Sequence, residues 1–109
     1  MLTFIDVIPS RNSIAPGDSL NILGGAANHD EAAETDITVW GNTGNGWKAL
    51  LTEHFHIEKG EHKHLYFTLT PEMMYSKLWE GEPDEFDLII RDTRPADDEN
   101  GVMIFLHGE

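Results

Sequence analysis

The chain has 109 residues, no cysteine, and 20 acidic against 7 basic side chains for a net charge of −13; it is long enough for one cored domain and has no means of building a disulfide framework, a thiolate metal site or a thiol nucleophile. So acidic a surface repels phosphate backbones and anionic lipid, so nucleic acid and membrane are not expected partners. No apolar run is long enough to cross a bilayer and no signal-peptide pattern opens the chain, so the expected location is cytoplasmic, with secretion inside a longer precursor left open.

Short runs rich in Val, Ile, Leu, Phe and Thr alternate with Gly, Pro, Asn and Asp, the rhythm of many short strands. The first predicted strand is Leu2 to Ile8, stopped by Pro9. A Pro-Gly turn leads into the second, Ser19 to about Asn28, where Leu20 and Ile22 alternate with Asn21. Gly24 and Gly25 in its middle predict a bulge or close packing. "ETDITVWGN" sets Ile37 and Val39 on one face and Thr38 and Trp40 on the other. After the loop "GNTGNG" come the strand "WKALLTEHFHI", the turn "EKGE" and the strand "HKHLYFTLT".

The period then changes. Thr70 suits an N-cap, Pro71 the first helical position, Glu72 the first turn and Gly81 the close, which predicts one short helix with Met74, Leu78 and Tyr75 packing inward. "EFDLIIRDTR" follows as a strand with Phe86, Leu88 and Ile90 on one face, then an acidic loop, then "VMIFLH" with Val102, Ile104 and Leu106 on one face. About seven strands with one helix between the fifth and sixth predict an all-β, two-sheet antiparallel sandwich forming a single domain over residues 1–109. Neither strand–helix–strand repeats nor a Gly-rich phosphate loop is present, which argues against a nucleotide-binding fold.

The order of elements resembles bacterial immunoglobulin-like modules of the adhesion-related, fibronectin III-like kind. The residues carrying the resemblance are "IAPGDSLNI", "ITVWGN", "IEKGEHKHLYFTLTP" and "EFDLIIRDTR". Two stretches depart from that pattern: "NHDEAA" after the second strand, where the family has Asn-Thr-Gly or similar, and the helix, where the family has a short loop. The resemblance implies an immunoglobulin-like sandwich that binds, spaces or scaffolds and does not catalyse. A weaker resemblance, without a distinctive motif, is to intracellular proteinase inhibitors of similar fold and acidity.

Four of the six histidines lie in "HFHIEKGEHKH". His54 and His56 alternate with Phe55 and Ile57, and His62 and His64 precede the alternation of Leu65, Phe67 and Leu69, so both pairs face outward. If the two strands are hairpin neighbours, the pairs converge into a site for zinc, nickel or copper. If they belong to different sheets, as sandwich topology predicts, the pairs point apart. No Ser–His–carboxylate grouping or nucleophile elbow stands out, so no catalytic residues and no cofactor are expected. "PADDENG" has oxygen donors without the spacing of a calcium loop and reads as a polar loop. The acids from Glu80 to Glu99, opposed by Arg91 and Arg94, read as a solvated surface, with attraction for cations or a basic partner as the sharper alternative. Trp40, Trp47, Tyr66 and Trp79 raise carbohydrate binding, against the plainer reading of core and rim packing.

The last strands break the rule that the wet face of a sheet is polar. Ile89, Met103 and Phe105 fall opposite the core-facing residues, as does Trp40. If their strands are neighbours, Trp40, Ile89, Met103 and Phe105 form one outward apolar patch, the expected interface for a protein partner or a homodimer. The competing expectation is that the helix or the amino-terminal segment covers this face.

Overall fold

The computed structural model describes residues 2–79 and 81–107; Glu80, counted above among the acids, lies outside them. Eight strands and one helix follow in the order β1 (Leu2–Pro9), β2 (Ser13–Ile14), β3 (Leu20–Asn28), β4 (Ala33–Asn42), β5 (Lys48–Ile57), β6 (His62–Leu69), α1 (Pro71–Leu78), β7 (Glu85–Arg91) and β8 (Val102–Leu106). They form an all-β sandwich: a three-stranded sheet in the order β1-β3-β6 and a five-stranded sheet in the order β2-β8-β7-β4-β5. All the predicted strands form. The addition is β2, two residues that pair parallel with β8, while every other pairing is antiparallel.

The alternating residues supply the core. Leu20 and Ile22 of β3 and Leu65, Phe67 and Leu69 of β6 face Ile37, Val39, Phe86, Leu88, Ile90 and Ile104 of the other sheet, all buried. Met74 and Leu78 of α1 join this core, and Thr70 caps the helix by accepting from the Met73 amide. Tyr75 does not pack inward as expected; it is exposed and stacks on Trp79, one helical turn on. Gly41 is where α1 closes on the five-stranded sheet: a Cβ there would lie 3.0 Å from both Leu50 and Leu78. The irregularity expected at Gly24 and Gly25 appears in the strand opposite, since β1 shifts register between Ile5 and Ile8 across from that pair.

"NHDEAA" begins with a buried clamp. Asn28 Nδ2 donates to the carbonyls of Glu31 and Ile57, its Oδ1 accepts from the Asp30 amide, and its backbone pairs with Glu61 and Gly60. One residue thus ties the end of β3 to the end of β5 through its side chain and to the β5–β6 turn through its backbone. That turn needs Gly60, whose φ is +76°.

The free edges of both sheets are blunted. β2 is two residues long, and β1 carries the register shift and ends at Pro9. Glu53 of β5 takes an inward register opposite buried Ile37, and Lys63 of β6 one opposite buried Ala26. Charges at these positions discourage another strand from adding to either sheet.

Candidate interaction surface

The outward face of the three-stranded sheet is built in rows. Ile8, Leu23 and Tyr66 lie side by side across β1, β3 and β6; the next row is Ile5, Gly25 and His64, and the next Thr3, Ala27 and His62. Ile5, Ile8, Leu23 and Tyr66 are 41–58% exposed, a contiguous apolar strip of the kind that marks association surfaces. Gly25 contributes no side chain, so the middle of the face sinks into a hollow of about 290 Å³ walled by Ile5, Ile8, Leu23, His62 and His64. The described outward positions carry no carboxylate, on a chain with 20 acids. Sequence reading missed this strip. Its one available signal was the pair Ile5 and Leu23, apolar at positions a sandwich turns outward, but the shift between Ile5 and Ile8 hides their alignment.

The outward face of the five-stranded sheet is divided. At one end, β4 and β5 pair Asp36 with His54 and Glu34 with His56. His54 Nδ1 lies 2.8 Å from Asp36 and its Nε2 2.5 Å from Glu34; His56 Nδ1 lies 2.9 Å from Glu34 and its Nε2 2.7 Å from Glu58. Carboxylates only accept, so the geometry is fully satisfied when each ring is protonated and donates from both nitrogens. Hydrogen bonds to Asp36 and Glu34 hold the His54 pKa above its ordinary value, and those to Glu58 and Glu34 do the same for His56. The Glu34 carboxyl is held low by hydrogen bonds from His54 and then His56.

At the other end, the loop from Asp92 to Gly101 folds back over the sheet. The Arg94 guanidinium lies 5.8 Å from the centre of the Trp40 ring, and Trp47 Nε1 donates to the Ala96 carbonyl at 2.9 Å. Pro95 is buried, and Glu99 pairs with Arg91 at 2.6 Å. Trp47 is 1% exposed.

The expected patch is therefore corrected. Trp40, Ile89, Met103 and Phe105 do point away from the core on adjoining strands, but Ile89 is 3% exposed and Trp40 half-buried. Over Trp40 lies Arg94 of the 92–101 loop. Met103 and Phe105 stay about half exposed, beside Asp87 and Glu85. The histidines do not gather: His54 and His56 lie on the five-stranded sheet and His62 and His64 on the three-stranded one, facing opposite sides of the sandwich. Among the described residues, no group of three or more His, Asp or Glu side chains is arranged to hold a metal ion. Of the aromatics, Trp47 is buried and Trp40 covered, while Tyr66 and the stacked Tyr75–Trp79 pair reach the surface. No helix among the described residues is long and apolar enough to cross a membrane.

No family model matches the sequence, and no curated protein matches it significantly. Solved structures are similar in fold. A β-glucosidase from Erythrobacter marinus superposes with a TM-score of 0.76 at 18% identity, over 98% of this chain and 15% of that one. A β-glucosidase from Listeria innocua gives 0.67 at 17% identity, over 99% and 16%. A GH3 β-glucosidase from Bifidobacterium adolescentis gives 0.66 at 10% identity, over 97% and 17%. The whole of this chain thus corresponds to about a sixth of each much longer chain. Likeness at these identities speaks for the fold alone.

Proposed function

We propose that this chain is a non-catalytic accessory module of the immunoglobulin-like, fibronectin III-like kind, acting through contact with a larger protein. The observation that supports this reading best is the asymmetry of coverage: nearly all of this chain matches about a sixth of each β-glucosidase. In those proteins the sandwich is one part among others, and the same fold here suits a role beside a larger unit that acts on glycosides. Blunted edges and a bare apolar face fit a domain that docks face-on. The test is a tagged chain expressed at its native level and sized in extracts. One larger protein is expected in constant ratio with it; the chain running alone at monomer mass would overturn the reading. Hydrolysis of an aryl β-glucoside by the purified chain would overturn its non-catalytic part.

A second reading, carbohydrate binding, is favoured by the Tyr75–Trp79 stack beside Pro83 and Asp84, along a hollow of about 540 Å³. Aromatic rings with a nearby carboxylate suit the apolar and hydroxyl faces of a sugar. Calorimetry with a β-linked glucose disaccharide tests it: heat that disappears in Tyr75→Ala is expected, and no heat in the wild type would remove it.

A further inference from the structure

We infer that the hollow beside α1 takes an amino sugar, a hexose carrying a free ammonium group, in preference to a neutral one. The inference rests on the carbohydrate reading and names the class of sugar which that reading leaves open.

The hollow is built by helix spacing and by one turn. Tyr75 and Trp79 are four residues apart and so share a face of α1. Their rings stack 17° from parallel with centroids 6.0 Å apart. Tyr75 is 56% exposed while Trp79 is half-buried, so the stack holds the outer ring in place for the apolar face of a sugar. After the helix the chain turns through two consecutive left-handed residues, Gly81 with φ +81° and Glu82 with φ +52°. That conformation is uncommon for a residue with a side chain. Hydrogen bonds pin the turn at both ends: the Glu82 amide donates to the Trp79 carbonyl at 3.0 Å, and the Asp84 carbonyl accepts from the Leu106 amide at 2.8 Å. Glu82 and Asp84 thereby line the same hollow as the two rings.

Charge selects the ligand. Besides the Tyr75 phenol, the titratable groups lining the hollow are the Glu82 and Asp84 carboxyls and the His107 ring, with no Lys or Arg among them. Both carboxylates are exposed, and neither forms an ion pair among the described residues. A carboxylate only accepts, and an ammonium donor brings it Coulomb attraction that a hydroxyl donor lacks. Aromatic faces attract a cation as well. On a chain of net charge −13, a cationic sugar is drawn in and an anionic one is turned away. A free amine therefore adds to the contacts that any hexose makes on Tyr75.

The experiment titrates the full chain by calorimetry with the β-linked disaccharides of glucosamine, N-acetylglucosamine and glucose, and with a dilysine peptide, in a buffer that keeps amines protonated and carboxylates ionised. The glucosamine disaccharide is expected to bind at least about tenfold more tightly than either neutral one. Its heat is expected to vanish in Tyr75→Ala, and its preference to fall within about twofold in the double variant Glu82→Gln, Asp84→Asn. Equal or tighter binding of the glucose disaccharide overturns the amine while leaving the carbohydrate reading standing. A preference that survives the double variant overturns the role of the carboxylates, and heat that survives Tyr75→Ala overturns the site. Dilysine binding as tightly overturns the sugar in favour of a basic protein segment. Heat from the glucosamine disaccharide with none from its glucose counterpart means that the ammonium is held without its sugar, and overturns inference and carbohydrate reading together, as does no heat at all. Thermal melting of the variants separates lost binding from lost folding, because Tyr75, Glu82 and Asp84 are all exposed.

Discussion

The two outer faces of this sandwich start from similar material and end differently. Both carry apolar residues at outward positions: Ile5, Ile8, Leu23 and Tyr66 on the three-stranded sheet, and Trp40, Ile89, Met103 and Phe105 on the five-stranded one. On the second, the chain supplies its own cover through the 92–101 loop and fills the remaining width with a histidine–carboxylate ladder. On the first, no comparable loop returns among the described residues, and the strip stays open. Outward hydrophobicity becomes a binding surface only where the chain does not satisfy it internally.

The strongest way to break the contrast is to release the loop. Trp47→Ala removes a buried indole and its hydrogen bond to Ala96, at an expected cost of about 3–5 kcal/mol. Urea unfolding measures the loss, and a hydrophobic dye is expected to bind the uncovered five-stranded face. A loss under about 1 kcal/mol would mean that Trp47 does not hold the loop.

Gly101→Ala attacks the same loop at its end. The added Cβ would sit 2.3 Å from the Leu88 carbonyl oxygen, so the backbone must shift, at an expected cost of about 1–3 kcal/mol. Unchanged thermal stability would contradict that close approach.

A matched pair sharpens the comparison. Leu23→Glu enters a face whose described outward positions carry no carboxylate and is expected to change stability by no more than about 0.5 kcal/mol. Phe105→Glu places a charge opposite Glu85 and is expected to cost more, up to about 1 kcal/mol. Equal effects would mean that the two faces do not differ in local charge.

The smallest effect is pH-dependent. His54 and His56 have raised pKa values in the fold, so their contribution is complete below the ordinary histidine value near 6.5 and is lost as pH rises through the raised values. Glu34 is lowered, so its contribution is present above its ordinary value near 4.5 and is lost as pH falls through the lowered one. The ladder therefore stabilises most between those ordinary values. Histidine titration by NMR is expected to give midpoints for His54 and His56 above the ordinary value that drop in Glu34→Gln and in high salt, since exposed pairs are screened. Midpoints that ignore Glu34→Gln would dissolve the ladder.

What sequence alone determined is local. Alternation placed Ile37, Val39, Phe86, Leu88, Ile90 and Ile104 in the core, because side chains two apart share a face whatever the partner strand. Thr70 and Pro71 announced the helix start, because capping involves only neighbouring residues. The outward direction of all four clustered histidines was equally legible. Tertiary structure alone decided what depends on which strands meet. The split of β5 from β6 between sheets sent the two histidine pairs to opposite faces, and pairing of β4 with β5 gave His54 and His56 their carboxylates. A register shift in β1 aligned Ile8 with Leu23 and Tyr66. The fold of the 92–101 loop, anchored on Trp47, set Arg94 over Trp40 and left Phe105 outside. Hydrophobicity marks a residue for burial, but only the path of distant chain segments determines whether anything arrives to bury it.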